Sequence, residues 1–556
     1  MKTLLVAVNA KYEHEGLAVW YLKAACGRHN IPVKVMQYSI NDSPQRVWSS
    51  IMQEAPDVIA FSCYIWNRDM MLKLMGDLRK ARPDCIMIVG GPEVSYEGSE
   101  ADFKAAGADF VIKGEGEGQL PLLLEGIKEQ GLKGAQAFFL PAMRCQEPMG
   151  YISPFVPEYL QRIRDRIAYI ESSRGCPYRC TYCLSSESQG LVLYPLDEVK
   201  KDIDALVDAG AKVIKFVDRS FNVHEDHSLS IWEYIRKFPR EKVTFHFEIN
   251  PDRLTQAQMA SLMTMPEGLV QLEAGIQSVH ARTLKEVSRV MDVERAIENL
   301  KNLMTKGNLH IHTDLIAGLP YEDLISIKES FNRVYEIGAH HLQLGFLKLL
   351  HGTRIRREAA KHGYKYREYA PYEVLENQYL SAENVLLLKD VEDVLDRTYN
   401  SGRFEYTLEV LVNTFPTPFD FYEAFALYMK AQDLLHQPIS ATRLFELLRA
   451  FSQGQKGVNS VALDTAMALD YACSMKNTVL PEFLSDSAVQ VLDAREVLGP
   501  RLEEGWRKEY RKRFMVLYGI CPLKKGEESL LKENTIVVDL KRVNAVTGRA
   551  EPFYLV

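Results

Sequence analysis

The chain has 556 residues, of which 47% are hydrophobic and 25% are charged, which is the composition of a globular protein with about three or four domains. Its net charge of −7 gives no general attraction to nucleic acids or anionic membranes, although a local basic patch is compatible with it. The N-terminal apolar run is too short for a signal peptide, and no uncharged apolar stretch of about 18 residues follows. We therefore expect a cytoplasmic protein without a membrane span.

The first 132 residues alternate apolar, β-branched runs with helical segments. The runs are TLLVAVNA, PVKVMQYSI, DVIAFSCYI, CIMIVGG and DFVIKGEGE. This alternation predicts a parallel sheet covered on both faces, in a Rossmann-like (flavodoxin-like) domain. Ligands of such sheets bind beyond the carboxyl ends of the strands, so the candidate loops are 9–14, 62–67, 90–95 and 114–117. Residues 133–167 are irregular and rich in proline, and they are predicted to form a linker.

A second series of strands and helices fills residues 168–352. Its six predicted strands are AYIESS, VIKFVD, TFHFEI, LVQLEAG, HIHTDLI and HLQLGFL. Six strand–helix units of about 30 residues predict a partial (β/α)6 barrel, whose chemistry lies at the carboxyl ends of the strands. Residues 353–556 are predicted to form a helical domain that ends in a short β hairpin, made of TIVVDL and EPFYLV.

Three cysteines, Cys176, Cys180 and Cys183, lie close together directly after the first barrel strand, in GCPYRCTYC. In a reducing compartment such a group indicates metal binding or catalysis more than disulfides. A zinc knuckle needs a fourth ligand nearby, but the next histidine along the chain is His224. Three thiolates on a cluster of four irons leave one iron open, which suits a catalytic metal. The alternative is a group of idle thiols.

GCPYRCTYC resembles the signature of the radical S-adenosylmethionine (SAM) superfamily. The resemblance implies a [4Fe–4S] cluster on the three cysteines, SAM on the open iron, and reductive cleavage of SAM to a 5′-deoxyadenosyl radical. It also implies that an aromatic residue before the last cysteine packs on the adenine of SAM. The predicted SAM contacts are Tyr182, Asp218, Arg219, Glu248, Glu273 and Gln277. For the residues at the strand ends, the alternative is a role at the surface or in barrel packing.

The N-terminal domain resembles the cobalamin-binding domain that precedes some radical SAM barrels, in the segments VNAKYEHEGLAVWYLKAA, GGPEVSYE and GEGE. The predicted cobalamin contacts are Asn9, His14, Ser62, Gly90, Gly91, Pro92, Glu93, Gly114, Glu115 and Gly116. His14 departs from the D-x-H-x-x-G pattern that supplies a histidine to cobalt in many cobalamin proteins, so a surface or supporting role for it stays open. The alternatives for the domain are glycines that only serve turns, and a relic without cofactor.

Two features of residues 353–556 suggest ligand contacts. The region resembles a C-terminal domain of uncharacterised function found after cobalamin-type radical SAM barrels. Its turn at residues 399–403 precedes a predicted helix at about Phe404, whose N-terminus could hold an anion or could be a capped turn. A basic segment could guide an anionic substrate or form a solvated helix face, and it contains Arg354, Arg356, Arg357, Lys361, Lys365 and Arg367.

Together these resemblances imply a cobalamin-dependent radical SAM enzyme, whose commonest reaction is methylation of an unactivated carbon or of phosphorus. Polar methyl transfer from SAM needs a nucleophile, which such a carbon does not offer. Three alternatives stay open: a non-methylating rearrangement, ring-forming or reductive reaction; modification of tRNA or other RNA; and a SAM- or cobalamin-binding sensor. The expected partners are an unknown substrate and a low-potential electron donor such as flavodoxin or ferredoxin. The acidic net charge argues against nucleic acid, and no membrane partner is expected.

Overall fold

The structure is a computed structural model that describes residues 1–555 except 13, 139–149, 188–189, 486–488, 499–512 and 522–531. Residues 139–149 of the predicted linker therefore lie outside the described residues. The chain divides into two compact units, of which the first contains residues 1–271, 284–291 and 346–378, and the second the remainder. Among the described residues, no helix is long and apolar enough to cross a membrane.

The N-terminal domain is a five-stranded parallel sheet in the order β2-β1-β3-β4-β5, as the sequence predicts. Its strands are β1 (Thr3–Asn9), β2 (Val33–Ser39), β3 (Val58–Ser62), β4 (Ile86–Gly90) and β5 (Phe110–Ile112). Its helices are α1 (Leu17–Arg28), α2 (Pro44–Glu54), α3 (Arg68–Ala81), α4 (Glu100–Ala105) and α5 (Gln119–Phe138). Every residue of β1, β3 and β5 is buried, because helices cover both faces of a parallel sheet.

The six strands of the predicted barrel form one sheet in the order β13-β12-β11-β10-β9-β6. They are β6 (Ile167–Ile170), β9 (Val213–Phe216), β10 (Thr244–Ile249), β11 (Val270–Gln277), β12 (His310–Ala317) and β13 (His341–Phe346). The helices of this region are α6 (Pro157–Leu160), α7 (Leu196–Asp208), α8 (Glu225–Ile235), α9 (Gln256–Met263), α10 (Ala281–Glu286), α11 (Val293–Lys306) and α12 (Leu324–Tyr335). Buried apolar residues alternate with less buried ones along β11 and β12, so one face of each strand packs under helices.

The first predicted barrel strand, AYIESS, is shorter than expected. The chain leaves the sheet after β6 and forms a separate strand β7 (Ser173–Gly175), which pairs antiparallel with β8 (Leu191–Leu193). The break lies at Ser172, whose backbone N–H and hydroxyl both donate to the carboxylate of Asp218 instead of continuing the ladder. The pair β7–β8 brackets residues 176–190, and so it holds the cysteine segment as an excursion from the barrel.

The C-terminal part of the chain is helical and ends in a sheet. It contains α13 (Arg354–Arg357), β14 (Lys365–Tyr366), β15 (Val374–Glu376), α14 (Ala382–Arg397), α15 (Glu405–Val412), α16 (Pro418–Ala431), α17 (Ala441–Gln453), α18 (Ser460–Met475), α19 (Glu482–Ser485), β16 (Gln490–Leu492), α20 (Ala494–Leu498), β17 (Phe514–Cys521), β18 (Lys532–Val543) and β19 (Ala550–Leu555). The predicted hairpin, β18 and β19, belongs to a four-stranded antiparallel sheet in the order β16-β17-β18-β19. Sequence reasoning missed β17 because a short apolar run reads equally well as a buried helix segment.

Candidate functional site

The three cysteines lie in a short turn that the rest of the first unit holds in place. Cys176 and Cys180 are buried, Cys183 is partly exposed, and all three are free thiols. The turn closes on itself, because the Cys183 N–H donates to the Cys180 carbonyl over 3.1 Å. Thr181 anchors it on both sides, donating its N–H to the Val287 carbonyl and accepting from the Ile355 N–H. Three thiols in one rigid turn are a suitable donor set for an iron–sulfur cluster.

Asp218 forms a buried network directly before this turn. One carboxylate oxygen accepts from the Ser172 N–H over 3.0 Å, and the other accepts from the hydroxyls of Ser172 and Ser173. His227 reaches the same Ser172 hydroxyl over 3.1 Å. Burial raises the pKa of Asp218 to about 6, against the opposing effect of these hydrogen bonds. The structure therefore places Asp218 as a support for β7, and its predicted contact with SAM stays a prediction.

Tyr182, the predicted adenine contact, lies within the cysteine turn beside Arg289. Burial raises the pKa of Tyr182 above its ordinary value, and the positive charge of Arg289 opposes that rise. Arg289 in turn donates to the Asn250 side chain over 3.3 Å. A phenol ring fixed by a neighbouring guanidinium offers a preset surface for a flat ligand.

Of the other predicted SAM contacts, Arg219, Glu248 and Gln277 lie at or next to strand ends, whereas Glu273 lies in the middle of β11. Arg219, just after β9, forms an ion pair with Glu248 of β10 at 3.6 Å. The ion pair compensates the charge of Glu248, which would otherwise be costly at the end of an apolar strand. Glu273 and Gln277 alternate with buried residues along β11, in the second unit. Gln277 ends that strand with φ of 72°, in the left-handed region.

A cavity of about 590 Å³ lies within the first unit, between the N-terminal sheet and the cysteine turn. Its walls include the carboxyl ends of β3, β4 and β5, together with Arg174 before the cysteines and Leu184 after them. Seven of the ten predicted cobalamin contacts line it, namely Ser62, Gly90, Gly91, Pro92, Gly114, Glu115 and Gly116. The cavity therefore joins the two predicted cofactor loops.

The glycines in this wall permit a large ligand to approach the backbone. Gly91 has φ of +114°, and a Cβ there would lie 2.4 Å from the Cys63 carbonyl oxygen, so no other residue fits. A Cβ at Gly114, with φ of +76°, would meet no atom within 4 Å and would enter open space. A bare backbone wall of this kind fits a corrin ring, and the residues present are compatible with cobalamin.

Three predicted cobalamin contacts do not line the cavity. The Asn9 amide donates to Gln37 over 2.7 Å. His14 forms a bridge with Ile167, and its ring meets Tyr169 edge to face at 5.1 Å. Glu93 is buried and accepts a hydrogen bond from Tyr372 over 2.9 Å. These residues support the loops around the cavity, because the β1 loop packs on β6 instead of turning toward the ligand space.

Sequence reasoning missed, among others, Tyr96, Arg174 and His351, which line the cavity. Tyr64, in the candidate loop 62–67, and Arg357, in the basic segment, also line it. The rings of Tyr96 and His351 are stacked with centroids 4.2 Å apart and planes within 7°. Burial lowers the pKa of His351 to about 4, with a further contribution from Arg356 and Arg68, so this ring is neutral at pH 7. Only Arg174 had a local signal, because it lies two positions before Cys176.

The predicted anion site before α15 is wrong, because the protein fills it. The carboxylate of Asp470 accepts from the backbone N–H groups of Tyr406 and Thr407, at the start of α15. Arg549 neutralises this carboxylate over 2.6 Å and also contacts Glu405. The feature is therefore a capped helix, which was the other interpretation of the sequence.

The basic segment is divided between short elements. Arg354, Arg356 and Arg357 lie on the single turn α13, and Lys361 lies on a 3₁₀ turn at Ala359–His362. Arg356 lies over the rings of Tyr366 and Tyr372 at 5.0 and 4.9 Å. Lys361 pairs with Glu286, Lys365 pairs with Glu376, and Arg367 donates to Tyr369. Arg357 lines the cavity, whereas the side chains of Lys361 and Lys365 are more than half exposed, so both interpretations of the segment stay predictions.

Three family models match the chain in succession. They are the B12 binding domain at residues 3–124, the Radical SAM superfamily at residues 170–334, and a protein of unknown function (DUF4080) at residues 360–502. The chain contains a B12 binding domain, a radical SAM domain and a C-terminal DUF4080 domain, in this order. The matches confirm the predicted fold class and the predicted cofactors, which are a [4Fe–4S] cluster, SAM and cobalamin. The last match confirms the predicted C-terminal domain of unknown function.

The curated relatives of the chain are distant. It is 24% identical over 317 residues to 2-(S-pantetheinyl)-carbapenam-3-carboxylate methyltransferase of Streptantibioticus cattleyicolor. It is 23% identical over 304 residues to tRNA-2-methylthio-N(6)-dimethylallyladenosine synthase of Burkholderia thailandensis. Each match covers 51% of this chain, and the chain spans 46% and 64% of the respective relatives.

Solved structures with the same fold include two cobalamin radical SAM enzymes. The radical SAM methyltransferase TsrM from Kitasatospora setae has a TM-score of 0.52 at 15% identity, covering 66% of this chain and 79% of TsrM. The cobalamin-dependent SAM radical enzyme OxsB, with aqua-cobalamin bound, has a TM-score of 0.55 at 14% identity, covering 92% of this chain and 84% of OxsB. At these identities the likeness establishes the fold.

Proposed function

We propose that this protein is a cobalamin-dependent radical SAM methyltransferase acting on an unactivated carbon or on phosphorus. The observation that carries the proposal is the cavity of about 590 Å³, which is lined by the glycine loops and by Arg174 and Leu184, the residues on either side of the cysteine turn. Methylation by two cofactors requires that both reach one substrate. The relatives named as methyltransferases support this choice of reaction.

In this proposal Cys176, Cys180 and Cys183 hold the cluster, and the backbone at Gly90–Gly91 and Gly114–Gly116 holds cobalamin. When bound, cobalamin supplies a transferable methyl group, and the cluster with SAM supplies a radical that removes hydrogen from the substrate. Tyr182 and the strand-end residues Arg219 and Glu248 orient SAM. The cavity wall around the two loops is predominantly apolar, which keeps water away from a reactive intermediate.

The direct test is an anaerobic reaction with methyl-labelled SAM, a low-potential electron donor such as flavodoxin or ferredoxin, and extract of cells. We expect label to enter a small-molecule acceptor only when both cobalamin and the cluster are loaded. The formation of 5′-deoxyadenosine without transfer of label would contradict methylation and would favour a non-methylating radical reaction. If labelled SAM stays bound to the protein, is not cleaved and passes its label to no acceptor, the result would favour a sensor.

The roles of the three cysteines have a separate test. Replacing Cys176, Cys180 and Cys183 by alanine should reduce the iron of the reconstituted protein from about four per chain to none. Cys473→Ala is the control, because Cys473 is also a free, buried thiol but lies in α18. Iron and its electron paramagnetic resonance signal should survive in the control. Iron that persists in the triple variant would refute the assignment.

An RNA substrate is the second candidate, because one curated relative, which matches 51% of this chain, is a tRNA-2-methylthio-N(6)-dimethylallyladenosine synthase. The same labelling reaction distinguishes it when the extract is separated into RNA and small molecules. Label in the RNA fraction, removed by ribonuclease, would select the RNA reaction over the small-molecule reaction. The described arginines of the basic segment are engaged in internal contacts, which gives no support to a nucleic-acid surface there.

A further inference from the structure

Arg174 lies between the two proposed cofactor loops. It is in the middle of β7, two residues before Cys176, and its side chain lines the cavity. The side chain is 26% exposed, which is unusually low for an arginine next to a cavity. Arg174 is therefore close to the cysteine turn along the chain, and its side chain lies against the N-terminal domain.

The guanidinium of Arg174 contacts three separate segments. It reaches Glu117, in the loop after β5, over 3.0 Å, and Glu115 in the same loop over 3.6 Å. It donates to Glu171, which lies three residues earlier in the chain, over 2.7 Å. It also lies over the ring of Tyr21 of α1, 5.2 Å from the centroid. A planar guanidinium with several fixed partners holds its neighbours at defined distances.

These contacts join the loop after β5 to β7 through Arg174. Glu115 belongs to the loop Gly114–Gly116 that is proposed to hold cobalamin, and Glu117 follows it directly. A ligand that contacts this loop restrains Glu115 and Glu117, and the two carboxylates restrain Arg174 and β7. SAM then binds beside a strand that is already restrained, so that part of the entropic cost of its binding has been met.

Another arginine provides an internal comparison. Arg166 also connects the N-terminal domain to the barrel, because it pairs with Glu15 over 2.5 Å and lies over the ring of Tyr12. Arg166 precedes β6 and does not line the cavity. A role that is only structural would be shared by the two arginines, whereas a role in coupling the cofactors belongs to Arg174 alone.

We propose that Arg174 is a positioning residue that couples the two cofactor sites, so that cobalamin in the cavity tightens the binding of SAM at the cysteine turn. By linkage, SAM tightens the binding of cobalamin by the same factor. The proposal rests on the proposed cofactor loops, and it adds a coupling that neither loop has alone. Glu117 is the partner residue through which the coupling passes.

The experiment measures the Kd of SAM for the full-length, cluster-loaded protein with and without saturating hydroxocobalamin. For the wild type we expect cobalamin to lower the Kd of SAM by about fivefold or more. For Arg174→Gln this factor should fall to about one, whatever the Kd of each cofactor measured alone. Arg166→Gln should keep the wild-type factor, and thermal unfolding of both variants checks that they are folded.

Two further variants keep the proposal falsifiable if Arg174→Gln loses its cluster. Glu117→Gln removes the partner without touching the residues beside Cys176, and it should abolish the factor equally. In the double variant, no additional loss should occur, because both changes break one connection. An unchanged factor in Glu117→Gln or Arg174→Gln would overturn the coupling while leaving the cofactor sites intact. Failure of the wild type to bind cobalamin would instead refute the proposed function, and the coupling with it.

Discussion

At the scale of single residues, the proposed site needs both reactive side chains and positions without a side chain. The three thiols are the groups that a cluster requires, and the sequence shows them directly. Gly91 contributes by having no Cβ, which allows its positive φ. The ten predicted cobalamin contacts include residues with side chains as well as four glycines, and all four glycines are among the seven that line the cavity.

Gly91→Ala should damage the cobalamin loop. The added Cβ would lie 2.4 Å from the Cys63 carbonyl oxygen, in a left-handed conformation, so the loop must shift. We expect loss of cobalamin binding, measured by the visible spectrum after gel filtration. Gly338→Ala is the control, because Gly338 has φ of +72° but open space around its Cβ position. Normal cobalamin binding by Gly91→Ala would show that this loop does not hold the ring.

At the scale of elements, the ends of helices and strands are stabilised by the protein's own carboxylates. Asp470 caps α15 and is neutralised by Arg549, so this N-terminus is not available to a ligand. Asp323 caps α12, and the preceding residue, Glu322, is 1% exposed and accepts from the Ser278 hydroxyl next to the end of β11 over 2.6 Å. Neither role follows from the sequence, because each partner is distant along the chain.

Glu322 predicts a pH dependence of stability. Burial raises its pKa to about 7 from an ordinary 4.5, so the folded state binds a proton that the unfolded state has lost between these values. The stability of the second unit should therefore fall as pH rises from about 4.5 to about 7, by up to about 3 kcal/mol. Glu322→Gln keeps an acceptor for Ser278 and removes the titration.

Thermal unfolding of wild type and Glu322→Gln at pH 5 and pH 8 measures this effect. The variant should gain stability relative to wild type at pH 8 and should gain much less at pH 5. Glu329→Gln, an exposed position on the same helix α12, is the control and should change little at both values. An equal difference at the two pH values would contradict a buried, proton-binding Glu322.

At the scale of the whole molecule, cofactor binding should appear as stability. A ligand that binds only the folded protein stabilises it by about 2.7 kcal/mol at 100 times its Kd. Hydroxocobalamin should therefore raise the unfolding temperature of the full chain, and it should not do so for Gly91→Ala. An unfolding temperature that is independent of cobalamin, in protein that folds and holds its cluster, would be evidence against the cavity as its site.

The sequence by itself determined the order of the folds and the cofactors, and it predicts the three cysteines of the cluster. These features are local: strands and helices follow from apolar periodicity, and the three thiols are neighbours along the chain. It also placed the glycine loops at the carboxyl ends of β4 and β5, because that edge is where parallel sheets bind ligands.

Only the tertiary structure decided which polar side chains meet. In the structure Asp218 accepts from Ser172, Arg219 pairs with Glu248, and His14 lies outside the cavity lining, next to Ile167. It also brought Arg174 to Glu117 and so connected the two loops. Each of these pairs joins residues far apart in sequence, and whether they meet depends on how separate elements pack, which no local pattern encodes.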